Sequence, residues 1–138
     1  MAKIYRTTDR VKVNIDDVTV KLAPLTLSQK KEIQGHLYKS VTEKDMQAAQ
    51  DAAILAVKYS LKSIKGLYDQ NDEEYQLQMD NNTVSDECID DLLNIEISDK
   101  LALVCTSLLH GINKEIVDPN TNKKIEGISF EESAEKKN

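Results

Sequence analysis

The pattern of apolar and polar positions begins with an expected β-hairpin. Branched apolar residues alternate with polar ones over residues 11–15, and the same alternation returns over residues 18–22, after Asp16 and Asp17. Alternation over several residues is typical of a half-buried strand, and a short polar link between two such runs indicates a tight turn. Pro24 then ends the extended segment. We therefore predict two antiparallel strands near the start of the chain.

Two amphipathic patterns with helical spacing follow the hairpin. The first predicts a short helix over about residues 27–39, which Thr26 and Gln29 begin with the spacing of a capping box. The second covers residues 43–65, and at 1.5 Å per residue it would form a central helix of about 34 Å. Its expected core stripe consists of Met46, Ala49, Ala53, Val57, Leu61 and Ile64. Gly66 is expected to end this helix in a left-handed conformation.

The predicted long helix carries apolar residues on more than one side. In the stretch AAILAVKYSLKSIKGLY, Ile54 and Leu55 fall outside the core stripe. Either other parts of the chain cover this second side, or another protein molecule does. Our hypothesis is that residues off the stripe belong to an oligomer or client surface. The predicted interface residues are Leu55, Tyr59, Lys62, Tyr68 and Tyr75.

The second half of the chain predicts shorter elements. Tyr75, Leu77 and Met79 alternate with polar residues, which indicates a short strand that could pair with residues 67–68 across an acidic loop. Ser85 and Ser98 each precede an amphipathic segment and are expected to cap two further helices. Residues 114–128 read as two short extended pieces around a Pro-Asn turn.

These elements predict a mainly helical α+β fold with small β-hairpins. We expect an N-terminal hairpin followed by a four-helix core around one long central helix. Residues 1–128 would form a single globular domain, because 138 residues suit one hydrophobic core. Residues 129–138 are mostly charged, and we expect a frayed or disordered tail there.

Composition and charge make several kinds of partner less favourable. The net charge of −6 disfavours nucleic acid as the main partner, since a protein that binds nucleic acid usually presents a basic field. A local contact with nucleic acid stays possible through a small basic cluster near the start, which consists of Lys3, Arg6, Arg10 and Lys12. The N-terminus has no apolar signal region and no run approaches 18 apolar residues, so we expect a cytosolic protein without a membrane span.

No group of residues has the spacing of a catalytic or metal-binding motif. His36 and His110 lie far apart in the chain, and Cys88 and Cys105 fit buried thiols better than a disulfide or a nucleophile. An acidic run begins at Asp69, but it lacks the glycine and the final glutamate of a calcium-binding EF-hand loop. We therefore predict a protein that is not an enzyme and that uses no metal or cofactor.

The order of elements resembles the tail assembly chaperones of long-tailed bacteriophages. The resemblance rests on three segments: VTVKLAPLTLSQKKEI with the residues up to Leu37, LAVKYSLKSIKGL, and SDECIDDLLN with the helical pattern that follows it. It implies a small, acidic, mostly helical protein in the host cytoplasm that coats the tape measure protein before tail tube subunits polymerise. The resemblance also implies recruitment of the tail tube protein, self-association and absence from the mature virion.

Two other functions remain open from the sequence. A structural phage component that stays in the virion, such as a tail tube or head–tail connector protein, would depend more on the strands than on the helices. A small acidic regulatory module, of the antitoxin type, would sequester a basic partner through its charged surface. An enzyme is the least favoured class, since no convergent reactive group is visible in the sequence.

Overall fold

The computed structural model describes residues 4–112, 115–118 and 120–131. Within these ranges the chain forms six strands, four α-helices and one 3-10 turn. The strands are β1 (Val11–Ile15), β2 (Val18–Leu22), β3 (Leu61–Lys65), β4 (Met79–Asp80), β5 (Thr83–Val84) and β6 (Ile128–Phe130). The helices are α1 (Leu27–Thr42), α2 (Met46–Ser60), α3 (Asp86–Leu92) and α4 (Ser98–Ser107), and the 3-10 turn is Leu108–His110.

A four-stranded antiparallel sheet is the largest β element, in the order β3-β2-β1-β6. The hairpin prediction is confirmed, because β1 and β2 pair with Ile15 opposite Val18. Asp16 adopts a φ of 51° in the turn, and its N–H donates a 2.7 Å hydrogen bond to the carbonyl of Gly127. Alternate residues of both strands point to one face, where the valines, isoleucine and leucine form part of the core.

The prediction of one long central helix over residues 43–65 is wrong. α2 begins after its N-cap Asp45 and ends at Ser60, and the next five residues form the edge strand β3. The register against β2 shifts between Lys21 and Leu22, so that both Leu61 and Ile64 are buried although they are three residues apart. A bulge therefore gives this strand the spacing of a helical turn. The sheet is substantial, and the fold is α+β without a dominant helix.

The expected core stripe of α2 is also wrong in its first half. Met46 is 82 % exposed, whereas Ala48, Ala52 and Ala56 are buried between this helix and its neighbours. These three alanines recur every four residues and so share one buried face of α2, where small side chains permit a close approach of neighbouring elements. Our sequence reasoning favoured the larger side chain of Met46, but the small residues occupy the tight contact.

Local signals at the other helices are largely confirmed. Thr26 and Gln29 form the predicted capping box of α1, which runs to Thr42 and so extends beyond the predicted end. The hydroxyl of Ser85 accepts a hydrogen bond from the N–H of Cys88 and caps α3. At α4, Ile97 occupies the cap position without a side-chain hydrogen bond, so the prediction of a Ser98 cap is wrong.

The loop between β3 and α3 is held by two short β interactions. Tyr68 and Glu74 form an isolated antiparallel bridge, and the N–H of Tyr75 donates a 2.7 Å hydrogen bond to the carbonyl of Leu67. The predicted pairing is therefore reduced to a single bridge, and the predicted strand is wrong over residues 75–78, because strand structure begins only at Met79. β4 and β5 form a separate two-stranded hairpin.

The C-terminal part of the chain returns to the sheet. β6 pairs with β1, with Phe130 opposite Val13 and Ile128 opposite Ile15. Ser129 and Phe130, the first two residues of the predicted tail, are thus part of a strand. Residues 132–138 of that predicted tail lie outside the described residues. Upstream of β6, Val117 and Lys124 form an antiparallel bridge, as expected for two extended pieces around a turn.

Candidate functional site

One concave apolar surface of the described chain is a groove between α2, α3 and α4. It encloses about 360 Å³ and is lined mostly by aliphatic side chains. α2 and α3 with its C-cap contribute Gln50, Ala53, Ile54, Val57, Ile89, Leu92 and Leu93, and the start of α4 contributes Ser98, Asp99, Leu101 and Ala102. Residues from three separate helices therefore meet at this groove.

The groove has a buried floor and an accessible apolar rim. Ile89, Leu92 and Leu101 belong to the hydrophobic core and are almost inaccessible to water. Leu93, the C-cap residue of α3, is 51 % exposed, and Ile54 on α2 is half-buried. Leu93 therefore adds accessible apolar surface to a lining that is otherwise concave and mostly aliphatic.

Polar residues lie in the lining of the groove and next to it. Gln50 lies on α2 and Asp99 lies in the first turn of α4, and both are exposed. Asp90, next to the groove residue Ile89, is exposed as well. Within the described ranges, the carboxylates of Asp90 and Asp99 make no hydrogen bond or ion pair. An apolar floor with a partly acidic border suits an amphipathic helix with basic flanks.

One ion pair joins α3 to α2 near the groove. The Lys58 ammonium lies 2.9 Å from a carboxylate oxygen of Asp86 in the first turn of α3. α3 has only seven residues, so it depends on its Ser85 cap and on such contacts for its position.

The five predicted interface residues do not form a single helical face. Leu55 is half-buried and packs against the core. The hydroxyl of Tyr59 on α2 donates a hydrogen bond to Glu32 on α1. Lys62 lies at the bulge of β3, where its ammonium donates a 2.5 Å hydrogen bond to the carbonyl of Asn82. Tyr75 is half-buried and Tyr68 is 60 % exposed. Contact of these residues with a partner stays a prediction.

Electrostatic shifts around these residues have structural causes. The hydrogen bond to Glu32, together with burial, raises the pKa of Tyr59 to about 12. Burial raises the pKa of Tyr75, and the bonds to Cys88 and Asp91 add to the shift. Such bonds hold a phenol in its neutral form and serve to join neighbouring elements.

The two cysteines are buried and carry no disulfide. Burial raises the pKa of the Cys105 thiol to about 12, and a hydrogen bond with Ser60 offsets part of this effect. A neutral, inaccessible thiol is a poor nucleophile, so Cys105 acts as a core residue. This agrees with the prediction of buried thiols.

In residues 4–112, 115–118 and 120–131, no group of three or more His, Cys, Asp or Glu side chains is placed to hold a metal ion. The acidic loop that begins at Asp69 is organised instead by its own backbone, because the Asp69 carboxylate accepts hydrogen bonds from the N–H groups of Asn71 and Glu73. In the part of the chain that the structure describes, no helix is long and apolar enough to cross a membrane.

Sequence reasoning found one side of the groove and missed the rest. It identified Ile54 as an apolar residue outside the core stripe, and Ile54 lines the groove. It assigned no surface role to Leu93 or to the start of α4. The detectable signal was the surplus of apolar residues in both segments, but their convergence depends on the tertiary arrangement.

Comparisons of the chain with protein-family models, with curated proteins and with solved structures find no match. The likeness to the tail assembly chaperones therefore depends on the order and pattern of elements in the sequence. The groove is a feature of the folded chain that a partner could occupy.

Proposed function

We propose that this protein is a non-enzymatic tail assembly chaperone of a long-tailed bacteriophage, which binds the tape measure protein and helps to recruit tail tube subunits. The observation that carries the proposal is the apolar groove between α2, α3 and α4. The client would be an amphipathic helical segment of the tape measure protein. On this proposal the protein acts in the host cytoplasm and is absent from the finished particle.

Two physical features support a helical client. The groove offers an aliphatic floor with exposed Leu93 at its border, and an apolar helix stripe inserted there would remove both surfaces from water. The unpaired carboxylates of Asp90 and Asp99 favour a client whose apolar stripe is flanked by lysine or arginine. A long helix with an exposed apolar stripe aggregates unless another protein covers it.

The test is coexpression with the tape measure protein of the phage that carries this gene. Leu93→Asp places a charge at the accessible rim, so we expect it to reduce recovery of the tape measure protein in the supernatant and in the pull-down. Met46→Asp is the matched control, since Met46 is an exposed apolar residue of α2 that does not line the groove. Equal capture by the two variants would contradict a client site in the groove.

The same coexpression and pull-down assay tests the hypothesis that Leu55 belongs to an oligomer or client surface. Leu55→Asp should abolish self-association or client binding if this side of α2 contacts another molecule. Circular dichroism of the variant distinguishes that result from loss of folding, which would make Leu55 an ordinary core residue. Analytical ultracentrifugation of the parent protein reports whether it self-associates at all.

The four-stranded sheet favours one alternative, a structural component retained in the virion. Tail tube and connector proteins depend on strands, and the sheet here is larger than the sequence predicted. Mass spectrometry of purified particles separates the two functions. A chaperone is missing from the particle, whereas a structural component is present in many copies.

A further inference from the structure

The outward face of the main sheet has an unusual charge pattern. The inward residues of β1 and β2 are buried apolar side chains, and the outward positions hold Lys12, Asn14, Thr19 and Lys21. On β3, Ser63 pairs with Lys21, and Lys65 pairs with Thr19. We define the basic sheet face as Arg10, Lys12, Lys21, Lys62 and Lys65.

This face is positive although the protein is acidic. The chain has 24 acidic and 18 basic residues, yet the outward positions of β1, β2 and β3 hold lysine and no carboxylate. Surfaces shaped only for solubility mix the two signs. The rest of the molecule is consequently even more negative than the net charge of −6 indicates.

The like charges are also close together. Lys12 and Lys21 are direct cross-strand partners, an arrangement that destabilises a sheet when both carry the same charge. Arg10 lies near enough to Lys62 to lower the pKa of that lysine, in addition to the larger effect of burial. Among the described residues, Glu131 is the one carboxylate paired with this face, 3.6 Å from the Lys12 ammonium. One ion pair therefore offsets only part of the positive charge of this face.

We propose that the basic sheet face is a second binding surface, which docks an acidic segment of a partner protein. Charge complementarity identifies the class of partner, because closely spaced cations on one face of a sheet attract a run of Asp and Glu side chains. The outward positions of β1, β2 and β3 hold no aromatic side chain on which a nucleobase could stack. The strongly negative remainder of the chain further disfavours a long polyanion.

This inference is independent of the proposed chaperone function. None of the residues that line the groove belongs to the sheet, so one surface can be altered without the other. A protein with both surfaces would hold an amphipathic helix in its groove and an acidic segment on its sheet at the same time.

The experiment uses a fluorescent oligo-glutamate peptide as the acidic probe and the full-length chain. Fluorescence anisotropy measures the affinity, and amide NMR shifts of the labelled protein locate the binding site. We expect shifts concentrated in β1, β2 and β3, with an affinity that falls as salt is added. The triple substitution Lys12→Glu, Lys21→Glu and Lys65→Glu should weaken binding about tenfold or more.

Two further variants make the result specific. Replacing the same three lysines by glutamine removes the charges without adding repulsion against Glu131, and it should also weaken binding. The matched control changes three exposed lysines elsewhere to glutamate: Lys31, Lys123 and Lys124. It alters the net charge equally and should keep most of the affinity.

Several outcomes would overturn the proposal. These are the absence of shifts on the sheet at low salt, an equal loss of affinity in the control variant, and tighter binding of an oligothymidylate of equal charge. The last result would assign the face to nucleic acid. A loss of affinity for the peptide that is confined to the sheet variants, with unchanged circular dichroism, supports docking of an acidic protein segment.

Discussion

The phenolic hydroxyl of Tyr59 on α2 donates a 2.6 Å hydrogen bond to a carboxylate oxygen of Glu32 on α1. The two residues are 27 positions apart. The bond joins the two longest helices of the described chain near the ends that lie away from their connecting loop. Tyr59 was predicted to face a partner protein, but its hydroxyl is occupied within the fold. Its contribution to stability can be measured directly.

Tyr59→Phe removes this hydrogen bond and keeps the ring. We expect the free energy of unfolding to fall by about 1 kcal/mol, the usual net value of one hydrogen bond. Urea titration followed by circular dichroism measures the change. Glu32→Gln retains an acceptor at the same place and should cost less, whereas an equal loss in both variants would show that the carboxylate charge is required.

The hydrogen bond between Tyr59 and Glu32 also predicts that the free energy of unfolding depends on pH in the alkaline range. The pKa of Tyr59 is raised from 10.0 to about 12 in the folded protein, so the folded state keeps the proton that the unfolded state loses. Its stabilising effect is fully present below pH 10.0 and is lost as the pH rises towards about 12. The stability difference between the parent protein and Tyr59→Phe should therefore shrink over that range, and a constant difference would contradict the assignment.

Gly66 and Gly35 should respond in opposite directions to substitution by alanine. Gly66 has a φ of 89°, and an added Cβ would lie 2.6 Å from the backbone oxygen of Asp17, so we expect Gly66→Ala to cost about 1–3 kcal/mol. Gly35 lies inside α1 with no atom within 4 Å of an added Cβ. Gly35→Ala should stabilise the protein by up to about 1 kcal/mol. Thermal unfolding of the two variants gives the signs, and a stabilising Gly66→Ala would exclude the described turn.

Leu61 and Met46 had equivalent places in the predicted core stripe, but the structure separates them. Leu61 is fully buried in β3, so Leu61→Ala should cost about 3 kcal/mol through lost burial and an internal cavity. Met46 is 82 % exposed, and Met46→Ala should change stability by less than about 0.5 kcal/mol. Similar losses at the two positions in urea titrations would support a continuous helix over residues 43–65.

The two thiols should be unreactive in the folded protein. Both cysteines are buried, and burial raises the pKa of Cys105 to about 12, so little thiolate is present at neutral pH. DTNB is expected to modify neither thiol in buffer and both thiols in urea. Rapid modification of one equivalent would contradict this assignment, and Cys88→Ala would then identify the reactive residue.

Part of the candidate site was predictable from the sequence. Ile54 stood out because it is apolar and lies off the main stripe, and it does line the groove. Leu93 gave no such signal, since a leucine at the end of a short amphipathic helix has the pattern of a core residue. Its 51 % exposure depends on how the helices pack, which the local sequence does not specify.

The sequence by itself determined the features that depend on neighbouring residues. The β1–β2 hairpin, the capping box of Thr26 and Gln29 and the Ser85 cap each join groups only a few positions apart, so alternation and side-chain chemistry are sufficient to predict them. The tertiary structure alone decided that residues 61–65 form a strand, because pairing with β2 outweighed a helical spacing of apolar residues. It also decided that three helices meet at one groove and that lysines from three strands share one face, since both depend on contacts between distant parts of the chain.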